Sequence, residues 1–425
     1  MKKLSNLLLV LMATFAFVAC NKHEDLIPIQ PETQEHQTSE SATSTLRSIT
    51  QDQASDFAQK VYNAIKQSKR PGKKDLNSSS EVFAPMAEAT VASVLPISKN
   101  GTNVIYIVNF GVSNGYMVIS ADKATKWAML AFSDTGSIDN LQQLNENNPF
   151  KLWLDQKSQE TYERLQQPIP ISKRSLEFWN ALGRNAEKDT EIDIEFVGED
   201  EFRVNSEGLR GTHKDSKGLP YIGVYSFISD CVWGQGQGYN ADAKVPNALA
   251  GCPAVAIGIL CRTIHFPNKY PYSEMPIKVE TASSNPVSRM LRDIADHIPN
   301  YKWGVNVSGA TAPNILTGLR ALGFSNATYA SYDFDRAYDQ IKRSHPVLLA
   351  GFDSRGGHIW ISDGYWEQRW KVTKKFLWWV VDTWYEYSDM LYMNWGWNGS
   401  GNGWIDQESW PHFGNSRIMF YNLHQ

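Results

Sequence analysis

The feature that most constrains this chain is a cysteine placed between a glycine and a long apolar run. Gly251 and Cys252 are followed by Pro253 and by the apolar run 254–260. Proline suits the first turn of a helix, because the N–H that it lacks would have no partner there. We therefore predict a buried helix that begins at Cys252. Such a position favours a thiolate through unpaired N–H groups and the helix dipole; the alternative is a structural cysteine in a core helix.

Length and composition limit the classes of protein to consider. The 425 residues are enough for two or three domains with a sizeable core. The net charge of −4 does not favour binding to nucleic acid or to an anionic membrane surface. Four cysteines are too few for a disulfide scaffold. Because neither Cys-x-x-Cys nor His-Glu-x-x-His occurs, we expect no metal site, and nothing indicates another cofactor.

The N-terminus has the pattern of an export signal. Lys2 and Lys3 precede an apolar run over 7–19 that is short for a membrane span. The run ends at Cys20 in a sequence that resembles a bacterial lipobox, so we predict a signal peptide over 1–20 and lipidation of Cys20. Residues 21–25 resemble an acidic surface-export signal. We expect an outer-membrane or cell-surface lipoprotein; the alternative is an ordinary secreted protein.

Residues 21–50 predict a flexible tether, and 51–184 predict a first α+β domain. The tether is rich in Ser, Thr, Gln, Glu and Pro and lacks periodicity. In the domain, apolar residues over 54–65 repeat at helical spacing, and Asn114-Gly115 joins two β-rich runs as in a hairpin. The domain has neither cysteine nor histidine, so we expect that it does not carry the chemistry.

The polar segment 185–220 separates this domain from a second one over 221–425. It is acidic at first and then basic, with Gly and Ser among the charges. We predict an exposed activation linker, since such segments are preferred sites of proteolysis. Residues 192–197 of the linker have the pattern of an edge strand. The second domain contains Cys252.

Three further residues of the second domain could serve a cysteine nucleophile. His358 follows two glycines at the start of a β-run, Asn394 ends an aromatic strand, and Gln235 lies upstream of Cys252. A cysteine nucleophile needs a base, which His358 can supply. The base needs an orienting group, which an Asn amide can supply, and a Gln amide with the Cys252 N–H can stabilise an oxyanion. Taken singly, the three could instead be a core histidine, a turn residue and an exposed amide.

Taken together, these segments resemble the C10, or streptopain-like, family of cysteine peptidases. The motifs that carry the resemblance are Gly234 to Asn240, Gly251 to Ala256, Gly356 to His358 and Asn394 to Trp397. The resemblance implies an α+β, papain-like catalytic domain without a metal or organic cofactor. By motif, Cys252 would be the nucleophile, His358 the base, Asn394 the orienting residue and Gln235 the oxyanion donor. Trp395 would pack over the His–Asn pair, and Gly251 and Gly357 would support the site.

The first domain also resembles part of this family. Residues 115–122 are similar to the propeptide domain of these peptidases and to related inhibitor proteins. The resemblance implies a zymogen, in which the domain over 51–184 binds the catalytic domain and keeps it latent until the linker is cut. The other implied partners are protein or peptide substrates.

The chain departs from the family pattern in three places. Pro253 stands where the family tends to have Val, and the connection from Gln235 to Cys252 is shorter. The connection from His358 to Asn394, which spans 394 − 358 = 36 residues, is longer. Its Trp-rich insertion over 365–390 predicts an extended hairpin. The hairpin could add packing to the sheet, or it could be an aromatic edge that binds a substrate or partner.

The sequence therefore predicts a cysteine endopeptidase zymogen that acts through a thioester acyl-enzyme. Two alternatives stay open: an amidase or acyltransferase that uses the same residues, and a catalytically silent surface protein that binds through its aromatic hairpin. The remaining cysteines, Cys231 and Cys261, could form a disulfide in an oxidising compartment or remain free buried thiols.

Overall fold

The computed structural model describes residues 26–27, 47–67, 88–197, 224–226, 229–353, 356–406 and 416–424. The predicted signal peptide with Cys20 lies outside the described residues, as do most of the tether and linker residues 198–220. In the described part of the chain, no helix is long and apolar enough to cross a membrane.

The first half of the chain contains a helix-covered antiparallel sheet. Its elements in chain order are β1 (Leu26–Ile27), α1 (Gln51–Gln67), β2 (Val91–Lys99), β3 (Thr102–Phe110), β4 (Tyr116–Ser120), β5 (Met129–Ser133), a 3-10 turn (Leu141–Gln143), α2 (Pro149–Leu165), β6 (Ile171–Ser172), α3 (Lys173–Asn180) and β7 (Thr190–Phe196). The predicted helix over 54–65 and the hairpin at Asn114-Gly115 are both confirmed. Asn148 caps α2 by accepting hydrogen bonds from the N–H groups of Phe150 and Lys151, and Pro149 occupies the first turn.

The second half combines a helical layer with long antiparallel strands. Its elements are β8 (Val224–Ser226), α4 (Cys252–Ile264), a 3-10 turn (Tyr272–Glu274), α5 (Pro286–His297), α6 (Ala312–Ala321), β9 (Thr328–Ser331), α7 (Phe334–Lys342), β10 (Val347–Asp353), β11 (Gly356–Phe376), β12 (Trp379–Asn394), β13 (Gly403–Asp406) and β14 (Ser416–Tyr421). The fold is therefore mixed α and β, with a smaller α+β domain ahead of the catalytic half, as predicted.

A single sheet runs through both halves. The strand order is β2-β3-β4-β5-β13-β12-β11-β10-β14-β9. The two halves join where β5 pairs with β13, through Ala131 opposite Ile405 and Phe132 opposite Trp404. The first domain thus extends the sheet that holds the candidate site.

Strand β11 is 21 residues long and has a different neighbour along each part of one edge. Its first part, 356–362, pairs with β10, and its middle part, 364–366, pairs with β8. Its last part, 370–376, pairs with β7. The other edge pairs with β12 from Ile361 to Phe376, which gives the extended hairpin that the sequence predicted.

The buried apolar residues form three clusters. One surrounds α4 in the catalytic half, and a second lies between α2 and the strands around His358. The third joins α1 and the first-domain strands to tryptophans of the β11–β12 hairpin. Two of the three clusters therefore include residues from both halves, and the first domain shares its core with the catalytic half.

Candidate active site

The predicted helix start at Cys252 is confirmed, because α4 begins at this residue with Gly251 as its N-cap. Gly251 has φ 88°, a left-handed conformation that favours glycine. A Cβ at this position would lie 2.1 Å from the Tyr301 hydroxyl oxygen and 2.8 Å from the Ser308 carbonyl oxygen. Gly251 is thus required both by its backbone conformation and by the close approach of Tyr301.

Tyr301 supplies the cap that Gly251 lacks. Its hydroxyl donates to the Ala250 carbonyl at 2.6 Å, and the N–H of Ala254 donates to the same hydroxyl. Ala254 is the third residue of α4, the position whose N–H a side-chain cap normally satisfies. Sequence reasoning missed Tyr301, since no motif marks a tyrosine 49 residues after Cys252 (301 − 252).

The Cys252 thiol lies against the strand that carries His358. The main-chain N–H groups of Ile359 and of Cys252 itself point at the sulfur. Burial raises the pKa of the Cys252 thiol to about 11, and these two N–H groups oppose the rise. The structure therefore places the predicted nucleophile against the strand that carries the predicted base, although the two residues are 106 positions apart (358 − 252).

His358 is buried among aromatic side chains. Its ring stacks on Trp360 with the centroids 5.8 Å apart and meets Trp397 edge-on at the same distance. Nε2 of His358 donates to the Trp395 carbonyl at 2.8 Å, which leaves Nδ1 as the unprotonated nitrogen when the ring is neutral. Burial lowers the pKa of His358 to about 4, and the Trp395 carbonyl partly opposes this effect.

The two pKa shifts determine the charge state of the pair. With the pKa of Cys252 near 11 and that of His358 near 4, both groups are neutral at pH 7. The proton stays on sulfur, and the pair is not the thiolate–imidazolium form that attacks a carbonyl.

Asn394 occupies a different place from the one predicted. Its Nδ2 donates to the Cys231 carbonyl at 2.8 Å, and its Oδ1 accepts from the Gly396 N–H at 3.2 Å. The group bonded to His358 is the main-chain carbonyl of the next residue, Trp395. Asn394 therefore holds the turn that presents this carbonyl, and the structure does not place its amide on the imidazole.

Gln235 lies in a buried loop tied to the start of α4. The N–H of Ala250, two residues before Cys252, donates to the Gln235 carbonyl at 2.8 Å. At Gly234 the space for a Cβ is filled by the Asn398 side chain, 2.3 Å away. The loops that hold Gln235, Cys252 and Trp395 therefore converge, as an oxyanion donor beside the nucleophile requires.

The supporting residues are all close to the site, in somewhat different roles from those predicted. The Trp395 ring is fully buried against Trp360, and its Nε1 donates to the Gly401 carbonyl at 2.8 Å. Trp397 is the ring that touches His358 edge-on. Gly357 leaves room for the Phe352 ring, which lies 2.2 Å from where a Cβ would be.

The first domain contacts the loop that follows Asn394. Asn148 Nδ2 donates to Ser400 Oγ at 2.9 Å, and the Phe150 side chain fills the space beside Gly401. The Gly401 carbonyl accepts a hydrogen bond from the Trp395 indole, and the Trp395 carbonyl accepts one from His358. The first domain is therefore linked to His358 through Gly401 and Trp395.

The other two cysteines of the described part, Cys231 and Cys261, are buried free thiols, which agrees with the second of the two predictions. Burial raises the pKa of Cys231 to about 11 and that of Cys261 still further. Neither has the loop junction and exposed approach that a nucleophile requires.

Two family models match the chain. Residues 46–161 match the Spi protease inhibitor family, and residues 267–405 match the Peptidase C10 family. The second match includes His358 and Asn394 and begins after Cys252, so the roles of Cys252 and Gln235 depend on the motifs and the geometry. A search of curated protein sequences finds no match.

A solved structure shows the same fold. A mutant fragment of prointerpain A from Prevotella intermedia superposes with a TM-score of 0.52 at 16% identity, over 78% of this chain and 99% of that one. Active interpain A from the same organism matches over 48% of this chain and 96% of its own, at 19% identity and a TM-score of 0.38. The chain therefore contains a region of the Peptidase C10 family over 267–405, preceded by a region of the Spi protease inhibitor family over 46–161.

Proposed function

We propose that the chain is a cysteine endopeptidase zymogen in which Cys252 attacks the peptide carbonyl. His358 takes the thiol proton through Nδ1 while Nε2 stays bonded to the Trp395 carbonyl, which fixes the tautomer. The Gln235 amide and the Cys252 N–H stabilise the oxyanion. His358 then protonates the leaving amine, and water hydrolyses the thioester. The observation that carries this proposal is the contact between the Cys252 thiol and the N–H of the residue after His358.

The neutral state of the pair supports latency. Desolvation of both groups raises the pKa of Cys252 and lowers that of His358, so ion-pair formation is unfavourable here. Admission of water or rotation of the imidazole would bring the two pKa values toward each other and favour the reactive thiolate. We propose that the first domain opposes this change through Asn148 and Phe150, which hold the loop bearing Trp395.

The test of the catalytic assignment uses an unfolded substrate and a thiol reagent. Linker-cleaved protein should degrade casein and be labelled by an epoxide thiol reagent at Cys252, and the Cys252→Ala variant should lose both properties. Cys261→Ala is the matched control, because its thiol is buried on the same helix. Undiminished turnover by Cys252→Ala would overturn the assignment. Absence of labelling at Cys252 would favour a catalytically silent binding protein.

The test of latency compares two forms of one preparation. Full-length protein should hydrolyse casein at least about tenfold more slowly than protein whose first domain has been cut from the linker and removed, since a tenfold rate difference needs only about 1.4 kcal/mol. Equal rates would show that the first domain is not inhibitory.

We also propose that the chain is exported and anchored by a lipid on Cys20. The support is Lys2 and Lys3, the short apolar run over 7–19 and the lipobox-like sequence that ends in Cys20. Mass spectrometry of the mature N-terminus should find a diacylglyceryl group on Cys20, and the Cys20→Ser variant should leave the membrane fraction. A mature N-terminus that begins elsewhere and carries no lipid would indicate a secreted protein.

A further inference from the structure

The Trp-rich hairpin forms part of the surface that contacts the first domain. Trp370 of β11 stacks on Trp127 with the ring centroids 5.2 Å apart and the planes at 19°. Trp384 of β12 meets Phe178 of α3 edge-on at 6.0 Å. Trp370 is fully buried, and Trp384 keeps only 8% of its surface exposed. This half of the hairpin is thus covered by the first domain.

The covered face is a continuous apolar cluster. The hairpin and the adjoining strand β13 contribute Trp366, Trp370, Val372, Trp384, Met390 and Trp404. Across the interface, the first domain contributes residues of α1, β3, β4, β5 and α3, among them Phe57 and Trp179. Large aromatic side chains bury much apolar surface, and close aromatic pairs add about 0.5–1.5 kcal/mol each beyond that burial.

Strand β7 adds main-chain hydrogen bonding to this interface. β7 lies between the first domain and the undescribed part of the linker, and it pairs with β11 from Trp370 opposite Phe196 to Phe376 opposite Thr190. Its residues Ile192 and Ile194 belong to the same apolar cluster. Any cut after Val197 therefore leaves β7 covalently attached to the first domain and still paired with the catalytic half.

Ion pairs lie around the rim of the interface. Lys374 pairs with Glu177 at 3.0 Å, Arg174 pairs with Asp382 at 3.3 Å, and Lys375 pairs with Asp193. These side chains are partly exposed, so each pair contributes little to stability and is screened by salt. The two shared apolar clusters and the strand pairing of β7 and β5 must supply most of the binding.

We infer that the insertion over 365–390 is a docking arm that retains the first domain after the linker is cut. The cut yields a non-covalent complex of two fragments, held by the Trp370–Trp127 and Trp384–Phe178 contacts, by β7 and by the β5–β13 pairing. The consequence for activity rests on the proposed function: if the first domain inhibits, a second event that removes it must follow the cut.

The tip of the same hairpin offers a matched control. Trp378 and Trp379 keep 74% and 66% of their surface exposed. Trp379→Ala removes the same kind of side chain from the same insertion, at a position that is 66% exposed. An effect specific to the interface must therefore appear in Trp370→Ala or Trp384→Ala and be absent from Trp379→Ala.

The experiment uses the full chain with Cys252→Ala, so that it cannot digest itself. A recognition sequence for a site-specific protease is inserted after Asn205, and the cut protein is examined by size-exclusion chromatography with light scattering. The two fragments should elute together at the mass of the uncut chain, in low salt and in 1 M NaCl alike. The Trp370→Ala/Trp384→Ala double variant should release the first-domain fragment, and Trp379→Ala should retain it.

Separation of the unsubstituted fragments after cutting would overturn the inference, as would equal release by Trp379→Ala and the double variant. If the double variant loses its near-UV circular dichroism before the cut, Trp384→Leu takes its place and should raise the dissociation constant at least about tenfold, or 1.4 kcal/mol. The same cut in the chain with Cys252 intact measures casein hydrolysis. If the first-domain fragment is retained and casein hydrolysis is fully active, the proposed latency is contradicted, but the docking role of the hairpin is supported.

Discussion

The two halves of strand β11 have different roles: one carries a residue of the candidate active site, and the other contacts the first domain. The first half, 356–362, pairs with β10 and carries His358, and the N–H of the next residue, Ile359, lies beside the Cys252 thiol. The second half, 370–376, pairs with β7 and carries Trp370 into the core of the first domain. The first half is the place of the chemistry, and the second half is the place of attachment.

The difference teaches how a peptidase can couple catalysis to its own inhibitory domain. Both halves of β11 are buried. In the first half, Ile359 and Ile361 pack into the cluster around α4, and Trp360 belongs to the cluster shared with α2. In the second half, Trp370 and Val372 belong to the cluster shared with α1. Substitution of His358 in the first half should change the reaction and leave attachment intact. Substitutions in the second half should do the opposite, and the following predictions test that separation.

The largest effect is expected from His358→Ala in linker-cleaved, first-domain-free protein. Loss of the base should lower kcat at least about 1000-fold, since positioned proton transfer and nucleophile activation contribute effects of this size. Casein hydrolysis measures the loss. His297→Ala, on the surface of α5, is the control and should leave kcat unchanged.

The same His358→Ala change should not release the first-domain fragment in the cut complex. Its dissociation constant, measured with the Cys252→Ala protein, should stay within about twofold of the unsubstituted value. Release of the fragment would show that the two halves of β11 are not independent.

Acid should destabilise the folded chain through His358, in the first half of β11. The pKa of His358 is about 4 in the folded protein and 6.5 for an ordinary histidine, so between these values the unfolded chain binds a proton that the native chain does not. Stability that is present above pH 6.5 is therefore lost as the pH falls toward 4, by about 3 kcal/mol in all. Urea unfolding of the Cys252→Ala chain at pH 7 and pH 4.5 measures this loss.

His358→Gln in the same background is the control for the acid effect, because glutamine does not titrate. Between pH 7 and pH 4.5, the loss of stability should be smaller in the His358→Gln chain than in the chain with His358, and the difference should be about 2–3 kcal/mol. Equal losses in the two chains would mean that other carboxylates or histidines dominate the acid response.

A smaller effect is expected where the helix that carries Cys252 is capped. Tyr301→Phe removes the hydroxyl that bridges the Ala250 carbonyl and the Ala254 N–H, which should cost about 1–3 kcal/mol of stability. Because Cys252 lies between these groups, kcat/KM should fall about tenfold. Thermal unfolding and casein hydrolysis give the two values. Tyr272→Phe, which removes a hydroxyl from the Pro267 carbonyl elsewhere in the same domain, is the control for general destabilisation.

The sequence predicted the elements that carry Cys252 and His358 well, because the patterns that mark them are local. Pro253 and the apolar run mark the helix start, and glycines mark the strand of His358. The orientation of Asn394 could not be predicted, since its amide is held by the Cys231 carbonyl 163 residues away. The capping role of Tyr301 was missed for the same reason, because its partners are distant in sequence.

The insertion over 365–390 was predicted to be a hairpin, but its packing against the first domain was not predicted. The aromatic spacing over 365–390 fits a buried strand pair, and the sequence left open whether the tryptophans add packing or bind a partner. The decisive contact joins Trp370 to Trp127, 243 residues earlier (370 − 127). Pairing of β5 with β13 is equally remote in sequence. Long-range pairing of this kind depends on how two domains meet, which periodicity within either domain does not encode.

The smallest predicted effect concerns the junction between the two halves. The β11–β12 register shifts between Ser362 and Gly364, where one half of the strand passes into the other. A Cβ on Gly364 would lie 3.0 Å from the Tyr392 Cβ and 3.1 Å from the Trp404 ring, so both neighbours must shift by a few tenths of an ångström. Gly364→Ala should therefore cost about 1 kcal/mol of stability, seen by urea unfolding. Because Trp404 lies in the β13 strand that pairs with β5, the cost should fall once the first domain has been removed. An equal cost with and without the first domain would show that the junction responds to the catalytic half alone.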